Sequence, residues 1–210
     1  MPLRNRMTPL GEPIAVAARG LVYANRGNMH DAQRHIRRPY GVRRWIACQL
    51  EFRGWHRGRL MQPGRFTELF FLDEATAFAA GHRPCRLCRY VDYEEFVDTW
   101  SEIHPHRATN ADAIDEVLHA ERWHAERERQ RHHEAAYSGL PTGTFVLRDE
   151  EPWVVLDDHV VRWTPEGYER RTARPTRGRA TVITPPSLVK VLRTERTPLV
   201  PFLHPSAFGD

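Results

Sequence analysis

Apolar and polar positions begin to alternate at Trp45. Ile46, Cys48, Leu50 and Phe52 share one face and Gln49 and Glu51 the other, which is the pattern of a half-buried strand. Arg53-Gly54-Trp55-His56-Arg57-Gly58 reads as a turn-prone connection, and Phe66 to Leu72 as the strand that returns. Asp73 is placed to cap a short Ala-rich helix, Glu74 to Ala80, which Gly81 ends by taking the left-handed conformation. Asp92 and Glu95 then form a capping-box pair ahead of Tyr93, Phe96, Val97, Trp100 and Ile103 at helical spacing. Another helix is predicted from Ala111 to Ala136, capped by Thr109 or Asn110. Ile114, Val117, Leu118 and Trp123 form its apolar stripe, and its second half is polar on every side.

Past Ser138-Gly139-Leu140-Pro141 the pattern turns to short runs between turn residues: Thr144 to Leu147, Trp153 to Leu156, His159 to Trp163 and Ala180 to Thr184. Pro185-Pro186 should open a last helix, Ser187 to Arg193. The first 44 residues read as irregular, with a loop-forming polar cluster at Asn25 to Asp31. The expected class is α+β, with an irregular segment (1–44), a module of β-hairpin plus short helices (45–108), a helical linker (109–139) and a small β-rich domain (140–210).

Charge and composition narrow the partners. The chain has 31 basic and 27 acidic residues, a net +4, and only one of the basic residues is a lysine, Lys190. This mild excess favours an anionic partner, and arginine favours bidentate phosphate contacts, although a GC-rich genome accounts for the arginine preference equally well. No apolar run reaches the ~18 residues of a membrane span, and Ile14 to Ala18 is too short for a signal-peptide core, so the expected compartment is the cytoplasm. Three cysteines do not suit a disulfide framework there, which leaves metal binding or core packing.

Two of those cysteines lie in Ala80-Gly81-His82-Arg83-Pro84-Cys85-Arg86-Leu87-Cys88-Arg89. A Cys-x-x-Cys turn sets two thiolates at a separation that suits one Zn²⁺, and structural zinc takes four ligands. Candidates to join Cys85 and Cys88 are Cys48, His56 in the hairpin turn and His82, although Cys48 fits an apolar core position equally well. Arg83, Arg86 and Arg89 flank the turn and read either as a solvated face or as a cationic face for phosphates, which would position nucleic acid without reading its sequence, while Arg83 also suits a structural role bonded to backbone carbonyls. In the second half, Trp153, Trp163 and Tyr168 with Arg162, Arg170 and Arg171 suggest either core aromatics or a stacking surface.

The segment from Phe70-Phe71 through Cys88-Arg89 resembles the amino-terminal metal-binding domain of the Ada family of DNA-alkylation repair proteins. It shares an aromatic pair, a short Ala-rich helix and Ala-Gly-x-Arg-Pro-Cys-x-x-Cys at matching spacing, over roughly a tenth of the chain. The resemblance implies an Ada-like zinc module and DNA binding, with recognition of damaged or modified DNA as its further implication. The family's second cysteine pair, which carries the methyl acceptor, is missing, so repair chemistry does not follow. Two other readings stay open. One is an enzyme acting on nucleic acid or a phosphate-bearing substrate through His30, Asp31, His119, Glu121 and His204. The other is a metal-free protein-interaction scaffold.

Overall fold

The computed structural model describes residues 1–55, 58–127, 129–194 and 202–209. Helices and sheets are mixed, as expected. The elements of the first half are β1 (Arg6–Met7), β2 (Pro13–Ile14), β3 (Val22–Asn25), β4 (Ile46–Cys48), β5 (Leu69–Phe71), α1 (Glu74–Ala79), β6 (Arg83–Pro84) and α2 (Tyr90–Ile103). There follow α3 (Ala111–Arg122), β7 (Trp123–His124), β8 (Arg129–Gln130), β9 (His133–Ala136), β10 (Phe145–Arg148), β11 (Glu151–Val155), β12 (His159–Thr164), β13 (Gly167–Ala173), β14 (Arg179–Val182) and α4 (Pro186–Leu192). Among the described residues, no helix is long and apolar enough to cross a membrane.

One six-stranded sheet runs β2-β1-β5-β3-β4-β6, the other β13-β12-β11-β10-β14-β9, and β7 pairs with β8 apart from both. The first sheet departs from the sequence reading. β4 and β5 do not form a hairpin, because β3 lies between them and pairs antiparallel with each. Its strand comes from the segment expected to be irregular. Runs of two to four residues are too short to establish a period of two, so β1, β2 and β3 left no periodic signal.

The expected helix to Ala136 stops at Arg122. The stretch beyond it is polar on every side and has no apolar stripe to hold against a core, so nothing favours continuing the helix. Trp123 instead takes extended backbone, and the chain doubles back as the β7-β8 hairpin before β9 joins the second sheet. The expected linker is therefore α-helical only in its first half.

α1 is buried along its entire length. Ala75 and Ala79 pack on the second sheet through Phe145, Val154 and Ile183, Ala77 and Ala80 face the first sheet, and Phe78 meets α2, α3 and α4 through Trp100, Leu118 and Leu188. A helix enclosed on three sides needs small side chains, which is why its sequence is Ala-rich. Asp73 caps it as predicted, accepting from the Thr76 amide at 2.8 Å, and its other oxygen accepts from Tyr168 Oη at 2.7 Å and from the His204 amide at 2.8 Å. Residues on both sides of position 140 thus share one core cluster and one buried carboxylate.

Candidate metal centre

β4 and β6 run parallel, with Ile46 opposite Arg83 and Ala47 opposite Pro84. The ladder continues one residue further, where the Cys85 amide donates to Ala47 O at 2.9 Å. That register carries Cys85 alongside Cys48, and the turn that follows, closed by the Arg89 amide donating to Cys85 O at 3.0 Å, brings Cys88 back to both. The three sulfurs lie within 4.8 Å of one another, among Tyr23, Ile46, Leu50 and Phe70. A tetrahedral site with metal–sulfur bonds of ~2.3 Å spaces its sulfurs about 3.8 Å apart, so the cluster can hold a metal ion.

The electrostatics agree with that use. Hydrogen bonds from the Cys48 and Cys88 thiols, helped by backbone amides of the turn, hold Cys85 well below the usual thiol range. The same bonding pushes Cys48 well up. One thiolate shared by two thiols is a site from which a divalent cation displaces two further protons.

Cys48 thus joins the knuckle, and His82 does not. The His82 ring is wholly buried, 4.7 Å from the Phe71 ring and 5.5 Å from Trp45, and its Nε2 accepts from Arg26 Nε at 3.2 Å. Burial and the nearby Arg26 and Arg122 guanidinium groups keep it neutral, well below the usual histidine range. His56, the other candidate donor, lies outside the described residues.

Two of the three arginines expected to face phosphates are internal. Arg83 is 1% exposed and grips Asp115 with both ends of its fork, Nε to Oδ1 at 3.2 Å and Nη2 to Oδ2 at 2.7 Å. Arg89, fully buried, pairs with Glu74 at 2.5 Å and with Asp92 at 2.6 Å. Each desolvated guanidinium is thus charge-paired, Arg83 with one carboxylate and Arg89 with two. Arg86 alone is exposed, its guanidinium 6.0 Å from the Tyr93 ring centre. Gly81 is fixed by the same internal logic. Its φ is +82°, and a Cβ there would meet Arg122 Cδ at 2.5 Å, just where the buried Arg122 donates to Gly81 O. Most of the phrase before Cys85 therefore serves packing.

Asp92 does not cap α2. It is occupied by Arg89, and no side chain caps that helix. The second-half aromatics are core, with Trp153, Trp163 and Tyr168 at 4%, 8% and 7% exposure, and Arg162 is taken up by Glu151 and Glu169. The five residues of the enzyme reading have separate partners. His30 bonds Thr67, Asp31 bonds Arg37, His119 stacks edge-on to Tyr40, Glu121 accepts from Ser187, and the His204 ring bonds Ser206.

Exposed aromatic and basic groups gather instead in the connection after β4, which the sequence presents only as a turn. Trp55 is 60% and Phe66 46% exposed, with Arg53, Arg59 and Arg65 also in solvent. Trp55 leans edge-on against Phe52, whose ring also carries the Arg53 guanidinium at 5.0 Å. Across residues 51–66 the only carboxylate is Glu51. Compared with family models, curated proteins and solved structures, the chain matches none.

Proposed function

We propose that this chain is a zinc-thiolate protein that binds DNA through the connection between β4 and β5 together with Arg86. A three-thiolate set suits a borderline-soft ion, and zinc is the ion whose structural sites use it. Bound there, zinc would supply folding energy and rigidity, with Cys48, Cys85 and Cys88 as three of its four ligands.

One juxtaposition carries the reading. Cys48 ends β4, and Leu50, two residues on, packs against the cysteine cluster. An ion at the cysteines therefore anchors the root of the segment bearing Arg53, Trp55, Arg59, Arg65 and Phe66. Cations on such a segment pair with a phosphate backbone, and an exposed indole offers a stacking face for an unpaired base. The likeness of residues 70–89 to Ada-type modules points the same way. With no second cysteine pair, the finer form of the proposal is recognition of unstacked or modified bases, not alkyl transfer.

Anisotropy of fluorescein-labelled single- and double-stranded oligonucleotides, titrated at several salt concentrations, tests this. Affinity should fall steeply with salt, and each of Arg59→Ala and Arg86→Ala should reduce the log–log slope by about 1. Trp55→Ala should weaken single-strand binding by about 1–3 kcal/mol with the slope unchanged. Salt-independent binding, or none tighter than ~10⁻⁴ M at physiological salt, would overturn the proposal.

A further inference from the structure

A cleft of about 220 Å³, with no cysteine in its lining, opens between α1, α2 and α4. Phe78, Phe96, Val191, Leu192 and Phe202 supply its apolar walls. Glu74, 1% exposed, also lines it. One Glu74 oxygen meets the Arg89 guanidinium at 2.5 Å, and Oε2 has no hydrogen-bond partner among the described residues. Arg89 is shared with Asp92, and Glu95 adds a third carboxylate to the lining, so among the described residues of the lining negative groups outnumber the one cation.

A buried carboxylate oxygen without a donor is costly unless something pairs with it. The usual role of a polar group in an apolar cleft is to orient a ligand. We infer that this cleft binds a small organic cation with an aromatic body, its amidinium or ammonium donating to Glu74 Oε2 and its ring lying among the three phenylalanines. The volume is below the ~300–1,000 Å³ of drug-sized sites, which limits the ligand to about one ring and its charged group. Aromatic walls favour such a cation twice over, through ring packing and through attraction of positive charge to ring faces. The inference does not depend on the DNA-binding reading.

Isothermal titration of the full chain at pH 8.5, where Glu74 is ionised, with benzamidine, benzamide and benzoate tests it. Benzamidine should bind at least tenfold more tightly than its neutral isostere benzamide, and benzoate should not bind. Glu74→Gln should lower benzamidine affinity at least tenfold. Val191→Trp, which keeps the carboxylate but fills the space, should do the same and decides the matter if Glu74→Gln fails to fold. Equal affinity for benzamidine and benzamide, no benzamidine binding by the wild-type chain, or full affinity in Val191→Trp would overturn the inference.

Discussion

Replacing Arg83 by alanine separates a docking arginine from a structural one. The change removes two bonds to Asp115 and one to Pro84 O at 3.0 Å, and strands a carboxylate whose side chain is 4% exposed. Breaking a buried ion pair from one side costs about 3–5 kcal/mol. For a chain of this size each kcal/mol lowers Tm by about 2–4 °C, so the expected fall is roughly 6–20 °C. Burial already raises Asp115 above its ordinary value against the pull of Arg83. Without the arginine it rises further, so the variant should recover stability as pH falls and Asp115 takes up a proton. Differential scanning calorimetry at pH 5 and pH 8 reads both effects. The double variant Arg83→Met, Asp115→Leu should regain most of the loss, since a packed apolar pair replaces a buried ionic one at little cost. Arg86→Ala should change stability by less than about 0.5 kcal/mol. An unchanged Tm in Arg83→Ala combined with weaker DNA binding would refute the assignment of Arg83 to the interior.

Three further outcomes are expected. Elemental analysis should find about one zinc per wild-type chain and almost none in Cys85→Ser or Cys48→Ser, with the metal lost on acidification as the thiolates protonate; full zinc in Cys48→Ser would return that residue to a packing role. Burial, joined by the nearby Asp92 and Asp73 charges, raises Glu74 from 4.5 to about 7 in the folded chain against the pull of Arg89. The folded state then holds its proton where the unfolded chain has released it, and wild type should lose up to about 3 kcal/mol relative to Glu74→Gln between pH 4.5 and pH 7; urea unfolding at pH 4.5 and pH 8 checks this, and parallel curves for the two proteins would contradict it. Gly81→Ala should cost more than about 2 kcal/mol, from the left-handed backbone plus displacement of Arg122, and a loss under ~0.5 kcal/mol in chemical denaturation would show that Arg122 yields easily.

What could be read from the sequence divides along lines of locality. Asp73, the alanines of α1 and Gly81 signal a helix and its ends through contacts within a few residues, and the structure has them in those roles. The same local logic recognised Cys85 and Cys88, and the alternation around Cys48 placed it on a strand while leaving ligand and core roles open; the parallel β4–β6 ladder that sets it beside the other two left no local signal. Failures came where a partner lies far along the chain. Nothing near Arg83 announces Asp115, 32 positions away, and nothing near Gly81 announces Arg122, 41 positions away. An arginine-rich phrase therefore offered a surface reading while two of its three arginines, Arg83 and Arg89, were taken up inside. Conversely, Trp55 is as apolar as the buried Trp45 and Trp100, and only the fold shows that it faces solvent.

Asp73 and the helix it caps bear on how such a chain can be divided. A polypeptide ending at residue 140 would leave Leu72, Ala75 and Ala79 without the strands that cover them, and the aspartate would lose the phenol and the amide it receives from Tyr168 and His204. The cysteines would then hang from a helix with one side bare. Proteolytic dissection or exchange of modules at that point should give neither half as a stable body, so whatever selection acts on the thiol end must also preserve the distant carboxyl-terminal sheet.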